Sequence, residues 1–170
     1  MDTYDEHDEQ HKTLHMTVLA TPDMANFSGH VHGGVLLRLL DQVAYACASR
    51  YAHAYAVTMS VDQVVFREPV NVGELLMFDA CVNYTGRTSM EVGCRVIAET
   101  VIRGSSRHVM TCYFSMVAVD DDRKPVPVPQ VQIRDETERR RYDAAVMRRD
   151  FRKEIERRAL EIRQNPSPST

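Results

Sequence analysis

The chain has 170 residues, 44% of them hydrophobic, and 21 Lys and Arg against 24 Asp and Glu give a formal net charge of −3. That length suits one domain, which buries roughly 70% of the surface its unfolded form exposes and so builds a core without disulfide or metal staples. No stretch approaches the roughly 20 apolar residues of a membrane span, and the charge is too mixed in sign, with no interleaved aromatics, for a nucleic-acid stripe.

Residues 1–12, MDTYDEHDEQHK, are acidic and polar and lack the basic start and apolar core of a secretory leader, so a disordered N-terminus on a soluble, cytoplasmic protein is expected. Cys47, Cys81, Cys94 and Cys112 stand singly, with no C-x-x-C spacing. They read as buried, reduced thiols rather than a zinc ribbon or a redox pair.

From 13 to 20, TLHMTVLA alternates loosely and predicts a first strand. The turn-rich TPDMANFSGHVHGG leads into VLLRLLDQVAYACASRYA, 35–52, which is apolar nearly all round with Arg38, Asp41, Gln42 and Ser49 on one stripe. This is the pattern of a buried helix. Four segments rich in β-branched and aromatic residues follow, at 56–66, 74–84, 89–102 and 108–119, separated by REPVNVG, TGRT and RGSSR. Tight turns between consecutive strands predict an antiparallel sheet, and one strand, one buried helix and four more strands predict an α+β domain whose sheet wraps the helix. This domain is expected over 13–124. PVPVPQ opens a Pro-rich linker over 125–133. A long charged helix is predicted over 134–164, with Ala144, Met147, Phe151, Ile155, Ala159 and Ile162 on a narrow stripe, before a disordered tail, 165–170. Residues 134–163 carry 11 Lys and Arg against 8 Asp and Glu, leaving 10 against 16 in the rest.

Gly33 and Gly34 sit where the helix begins, and unpaired N–H groups and the helix dipole there favour a developing negative charge. Two glycines equally let a loop turn into a helix. Asp41, seven residues beyond Gly34, lies roughly 10 Å along the axis. That is too far for one chain's Gly34 amide and its own Asp41 to act on one carbonyl carbon, but an antiparallel neighbouring helix would bring a second Asp41 alongside. The alternative is a weak surface pair between Asp41 and Arg38. His30 and His32 point the same way on an extended segment, yet two ligands do not make a zinc site and the other histidines offer no helper spacing, so no metal is expected. No serine lies in a G-x-S-x-G elbow.

Five motifs stand in order: Asn26-x-Ser28-Gly29-x-x-x-Gly33-Gly34; Asp41; Val57-Thr58; Phe66-Arg-Glu-Pro69-Val-x-Val-Gly73; and Gly86-Arg87-Thr88-Ser89. Over about residues 13–120 the chain resembles the acyl-CoA hydrolase branch of the hotdog-fold thioesterases, and PDMANFSGHVHGG is similar to the first repeat of the brain-type cytosolic members. The resemblance implies a hotdog fold, a curved antiparallel sheet around a long central helix, paired into dimers whose sheets join and often into trimers of dimers, a hexamer. It implies hydrolysis of fatty acyl-CoA to free acid and coenzyme A, with no cofactor beyond the coenzyme A of substrate and product. It implies an active site at the dimer interface. There Asp41 of one protomer acts as general base or nucleophile, and Asn26 with the Gly34 amide of the other holds the thioester oxygen. Thr58 would orient the water or Asp41, although strand propensity also explains a threonine there. Arg87, Thr88 and Ser89 match the family's turn that meets the coenzyme A phosphates, and a plain hairpin turn also accounts for them.

Two departures stand out. Ala44 fits the small residues expected after the acid but bulky Tyr45 follows, and brain-type members carry two repeats where this chain has room for one, so function requires self-association. A non-catalytic acyl-CoA-binding protein is the alternative from another class. Enoyl-CoA hydration on the same fold would call for a His–Asp pair on the helix side, and no histidine falls within 33–52.

Overall fold

Helix α1, Gly33–Ala52, buries Leu36, Leu39, Leu40, Val43, Ala44, Cys47, Ala48 and Tyr51, a broad stripe at three- and four-residue spacing that leaves Arg38, Asp41 and Gln42 exposed. The small side chains of Ala44, Cys47 and Ala48 in the middle of that stripe let a sheet approach closely. The helix ends where His53 takes the left-handed conformation, φ 50°. The structure is a computed structural model and describes residues 11–164. The expected acidic N-terminus, apart from residues 11 and 12, and the expected tail at 165–170 lie outside the described residues.

Strands β1 (Thr13–Leu19), β2 (Tyr55–Phe66), β3 (Leu75–Thr85), β4 (Ser89–Thr100) and β5 (Ser105–Val119) form one sheet in the order β1-β3-β4-β5-β2, with every neighbouring pair antiparallel. Helix α1 joins the two edge strands, so the chain has to cross the whole sheet face, and the helix packs against all five strands. The core between them is closed by Leu40, Leu76, Phe78, Met110, Phe114 and Met116, each fully buried. This is the α+β hotdog arrangement that the sequence and its resemblance imply.

Strand β2 pairs with β5 through two interruptions, between Thr58 and Ser60 and between Asp62 and Val65, and Gln63 at the second takes φ 50°. Such bulges bend a strand and increase its twist. The register sets Thr58 opposite Met116, and Met116 opposite Met90 on β4.

After β5 the Pro-rich segment lies extended on the domain. Val126 N–H donates to the Ala118 carbonyl (2.9 Å), Val128 N–H to the Arg87 carbonyl (3.0 Å) and Val131 N–H to Thr85 Oγ1 (2.9 Å), while the Tyr51 hydroxyl donates to the Pro129 carbonyl (3.3 Å). The alternation explains how prolines can form such a strap. Pro125, Pro127 and Pro129 have no N–H to satisfy, and the residues between them supply the donors.

Residues from Gln132 onward form a second unit. Its helix α2, Glu136–Gln164, opens with the Asp135 carboxylate accepting the Glu138 N–H at 2.8 Å, an N-cap bond, and the Glu138 carboxylate accepts the Arg134 N–H at 2.9 Å. Glu154 pairs with Arg157 and Arg158, and Arg157 with Glu161, while Met147, Phe151 and Ile155 are exposed. Among the described residues no helix is long and apolar enough to cross a membrane.

Candidate active site

Asp41 projects from the exposed stripe of α1, and β2 runs beside it. Thr58 donates its hydroxyl to Asp41 Oδ1 at 2.7 Å, and Met116 Sδ lies 3.5 Å from Thr58 Oγ1. The sequence left open an Asp41–Arg38 surface pair; the bond that Asp41 makes is to Thr58 instead. The interruption at Met59 begins immediately after Thr58, and a bulge at such a place re-aims a side chain that a regular strand would hold flat. One helical turn further on, Tyr45 rests its ring on that of Tyr55, centroids 5.3 Å apart.

Asn26 sits in the loop before the helix, and its carboxamide is oriented by the backbone. Oδ1 accepts the N–H of Ser28 (2.9 Å) and of His30 (3.2 Å), while the Asn26 N–H donates to the His30 carbonyl at 2.7 Å. Gly29 closes the turn at φ +79°, a conformation that side chains rarely adopt. Both bonds fall on Oδ1, so Nδ2 is left as the outward donor. Asn26 lines an open cleft of about 360 Å³ together with His30, Gly33, Leu36, Phe66 and Pro69. Gly33 borders the Phe66 ring so closely that an added Cβ would come within 3.2 Å of it.

Gly34 does not line that cleft, and its N–H is taken: His32, the N-cap residue, accepts it on Nδ1 at 3.0 Å. An incoming oxygen has to displace the imidazole to reach this amide. His30 is engaged too, its Nδ1 lying 3.1 Å from Asn71 Oδ1. Among the described residues no three His, Cys, Asp or Glu side chains gather as a metal site.

Arg87, Thr88 and Ser89 share the β3–β4 turn. Gly86 N–H donates to the Ser89 carbonyl (2.7 Å), Thr88 O accepts from Ala118 (3.0 Å), and Gln130 Nε2 reaches Gly86 O at 3.0 Å, so the strap holds the turn while the Arg87 side chain stays exposed. Register carries this turn to the level of Thr58, two strand spacings away, about 10 Å.

Sequence reasoning missed a buried ion pair beneath the cleft. Glu74, 5% exposed, binds Arg107 through both carboxylate oxygens, at 2.7 and 2.8 Å. The Arg107 guanidinium, ahead of the opposing effect of burial and with added help from Asn71, holds the carboxyl down at about 2. The partners are 33 positions apart, and neither residue type nor spacing announces the pair.

A buried helix wrapped by an antiparallel sheet is the hotdog layout of the Thioesterase superfamily. The chain belongs to that family, whose pattern matches residues 28–104. It is 47% identical to Protein VdlD of Helicobacter pylori (strain ATCC 700392 / 26695) over 139 residues, 82% of this chain and 79% of that one. A crystal structure of an apo-hexameric acyl-CoA thioesterase superposes with TM-score 0.83 at 36% identity, covering 86% of this chain and 94% of that one. The acyl-CoA hydrolase of Staphylococcus aureus, solved with butyryl coenzyme A, coenzyme A and coenzyme A disulfide, superposes with TM-score 0.80 at 31% identity, covering 89% and 94%. It has also been solved with one asparagine, one aspartate or one threonine replaced by alanine.

Proposed function

We propose that this protein hydrolyses fatty acyl-CoA to free acid and coenzyme A, at a site that two copies of the chain build together. The carrying observation is a spacing. The asparagine, aspartate and threonine replaced in the S. aureus hydrolase are 15 and 17 positions apart, and Asn26, Asp41 and Thr58 keep the same two intervals.

In this reading the Thr58 hydroxyl holds Asp41 Oδ1, leaving Oδ2 to take a proton from water or to attack the thioester carbon itself. Asn26 Nδ2 and the amides at the start of α1 hold the oxygen as it gains charge, each donor contributing on the order of 3 kcal/mol in the transition state. The Gly34 amide joins them once His32 gives it up. Acid and donors lie roughly 10 Å apart along one helix, so those acting on one carbonyl carbon come from two antiparallel copies. The free edge of β2, which exposes Tyr55, Met59, Val61, Val65 and Phe66, supports such pairing, and trimers of these dimers are the expected assembly. Arg87, Thr88 and Ser89 receive the coenzyme A phosphates, the guanidinium as a two-pronged donor. The reaction needs no metal or cofactor, and its place is the cytosol.

The test is thiol release from acyl-CoA substrates of graded chain length. Asp41→Ala is expected to abolish turnover and Asn26→Ala to lower it about 100-fold, each with the oligomer intact. Co-assembling the two variants restores about a quarter of wild-type activity, since half of randomly paired dimers carry one intact site of two. Turnover retained by Asp41→Ala, or no recovery on mixing, would overturn the proposal.

A further inference from the structure

We propose that Glu74, gripped by Arg107, is a positioning residue for this reaction: acting through Asn71, it holds in place His30, whose backbone orients the Asn26 carboxamide. The inference rests on the role given to Asn26 above.

The hydrogen bonds form one unbroken line from the pair to the cleft. Glu74 accepts from the Asn71 N–H at 2.8 Å and from Asn71 Nδ2 at 3.2 Å, so the Asn71 amide nitrogen is committed to the carboxylate. Asn71 Oδ1 therefore faces His30, and because that oxygen only accepts, His30 Nδ1 is the donor across the 3.1 Å contact. The His30 backbone then grips Asn26 twice: its carbonyl accepts the Asn26 N–H, and its N–H donates to Asn26 Oδ1.

The polarity of this line runs one way. Turning the Asn26 amide would set its NH2 against the N–H groups of Ser28 and His30, and turning Asn71 would set an oxygen against the Glu74 carboxylate. Glu74 thus fixes the sense of Asn71 and, through it, the place of His30, whose backbone N–H together with that of Ser28 makes Asn26 present a donor and not an acceptor. The same clamp holds the other wall of the cleft. Arg107 Nη2 donates to the Pro69 carbonyl at 2.5 Å, and the Val31 N–H donates to the Val70 carbonyl at 2.8 Å, tying the two cleft-lining loops together. Glu74 itself does not line the cleft, so it acts only through these neighbours. An ion pair kept for stability alone would need no continuation through Asn71 and His30.

Asn71→Ala cuts the line and leaves Glu74 and Arg107 paired; Asn71 is exposed, so the variant is expected to keep its thermal midpoint within a few degrees. In steady-state thiol release kcat should fall about tenfold with KM within about twofold, because Asn26 acts on charge that develops only in the transition state. In an Asn26→Ala background the same substitution should change kcat no further, the signature of two residues acting as one unit. His30→Phe, which keeps a flat ring and removes the donor, carries the same expectation should Asn71→Ala unfold. An unchanged kcat in the single variant, or a full additional loss in the double variant, overturns the proposal. Full activity in Asn26→Ala alone would instead remove the reading beneath it.

Discussion

Replacing Glu74 by Gln keeps the size of the side chain and removes its charge, and the consequence for stability has a sign that pH reveals. In the folded protein the carboxyl is held down to about 2 from an ordinary 4.5, chiefly by Arg107 and then, against the opposing effect of burial, by the Asn71 bonds. A displacement of that size corresponds to roughly 3 kcal/mol of folding free energy. The folded carboxyl is the stronger acid, so this contribution is complete above about pH 4.5 and fades as pH falls toward 2. Urea unfolding followed by far-UV circular dichroism, at one fixed protein concentration because assembly adds to stability, should find Glu74→Gln less stable than wild type by roughly 3 kcal/mol at pH 7. The gap should narrow steadily from about pH 4.5 to pH 2, where about half of wild-type Glu74 has become neutral like the glutamine. A gap under about 1 kcal/mol at pH 7, or one that persists unchanged at pH 2.5, would refute the reasoning.

Thr58→Val removes the donor to Asp41 Oδ1 at nearly constant volume. A bond to a charged group contributes about 1.5–3 kcal/mol, so kcat/KM in the thiol-release assay should fall roughly 10- to 100-fold, and Thr58→Ser should recover most of it. Gly93→Ala would place a Cβ 2.4 Å from Asn83 Nδ2 and 3.4 Å from the Tyr113 ring. Asn83 is buried and donates to Glu91 at 3.3 Å, so the variant should lose about 1–3 kcal/mol in the same urea experiment. Burial pushes the thiols of Cys47 and Cys112 up to about 12 and raises that of Cys94 well above its ordinary value. Ellman's reagent at pH 8 should therefore label only half-buried Cys81 quickly in the native protein, and all four cysteines after guanidinium.

The central helix and the strands were legible because their signals are periodic and local. The expected 35–52 became Gly33–Ala52, the two glycines serving as its first turn. The segment expected to start at 108 begins instead at Ser105, since Ser105 and Ser106 pair with Thr100 and Glu99 on β4 regardless of their weak strand propensity. Pairing with a neighbour outweighs intrinsic preference at such ends. The Pro-rich composition at 125–130 reads as extended, and extended it is. Its donors, however, find acceptors on β5 and on the β3–β4 turn, and no composition rule names such partners.

The site divides along the same line. Asn26, Asp41 and Thr58 were nominated by the family resemblance of their motifs, and the Asp41–Thr58 bond brings two of them together. The imidazole of His32 on the Gly34 amide was not foreseen, because HVH was weighed as a pair of metal ligands and not as a helix cap. The line from Arg107 to Asn26 was hidden altogether, since two of its four steps join residues more than thirty positions apart.

Strand β2 shows what a kinked border does to molecular sociability. A straight ribbon of twelve residues would welcome any other ribbon in many alignments, and chains could add without limit. With offsets at Met59 and near Gln63, only a mate whose irregularities fall in step can zip on. In the proposed dimer the border would thereby admit one antiparallel twin and disfavour a growing fibre.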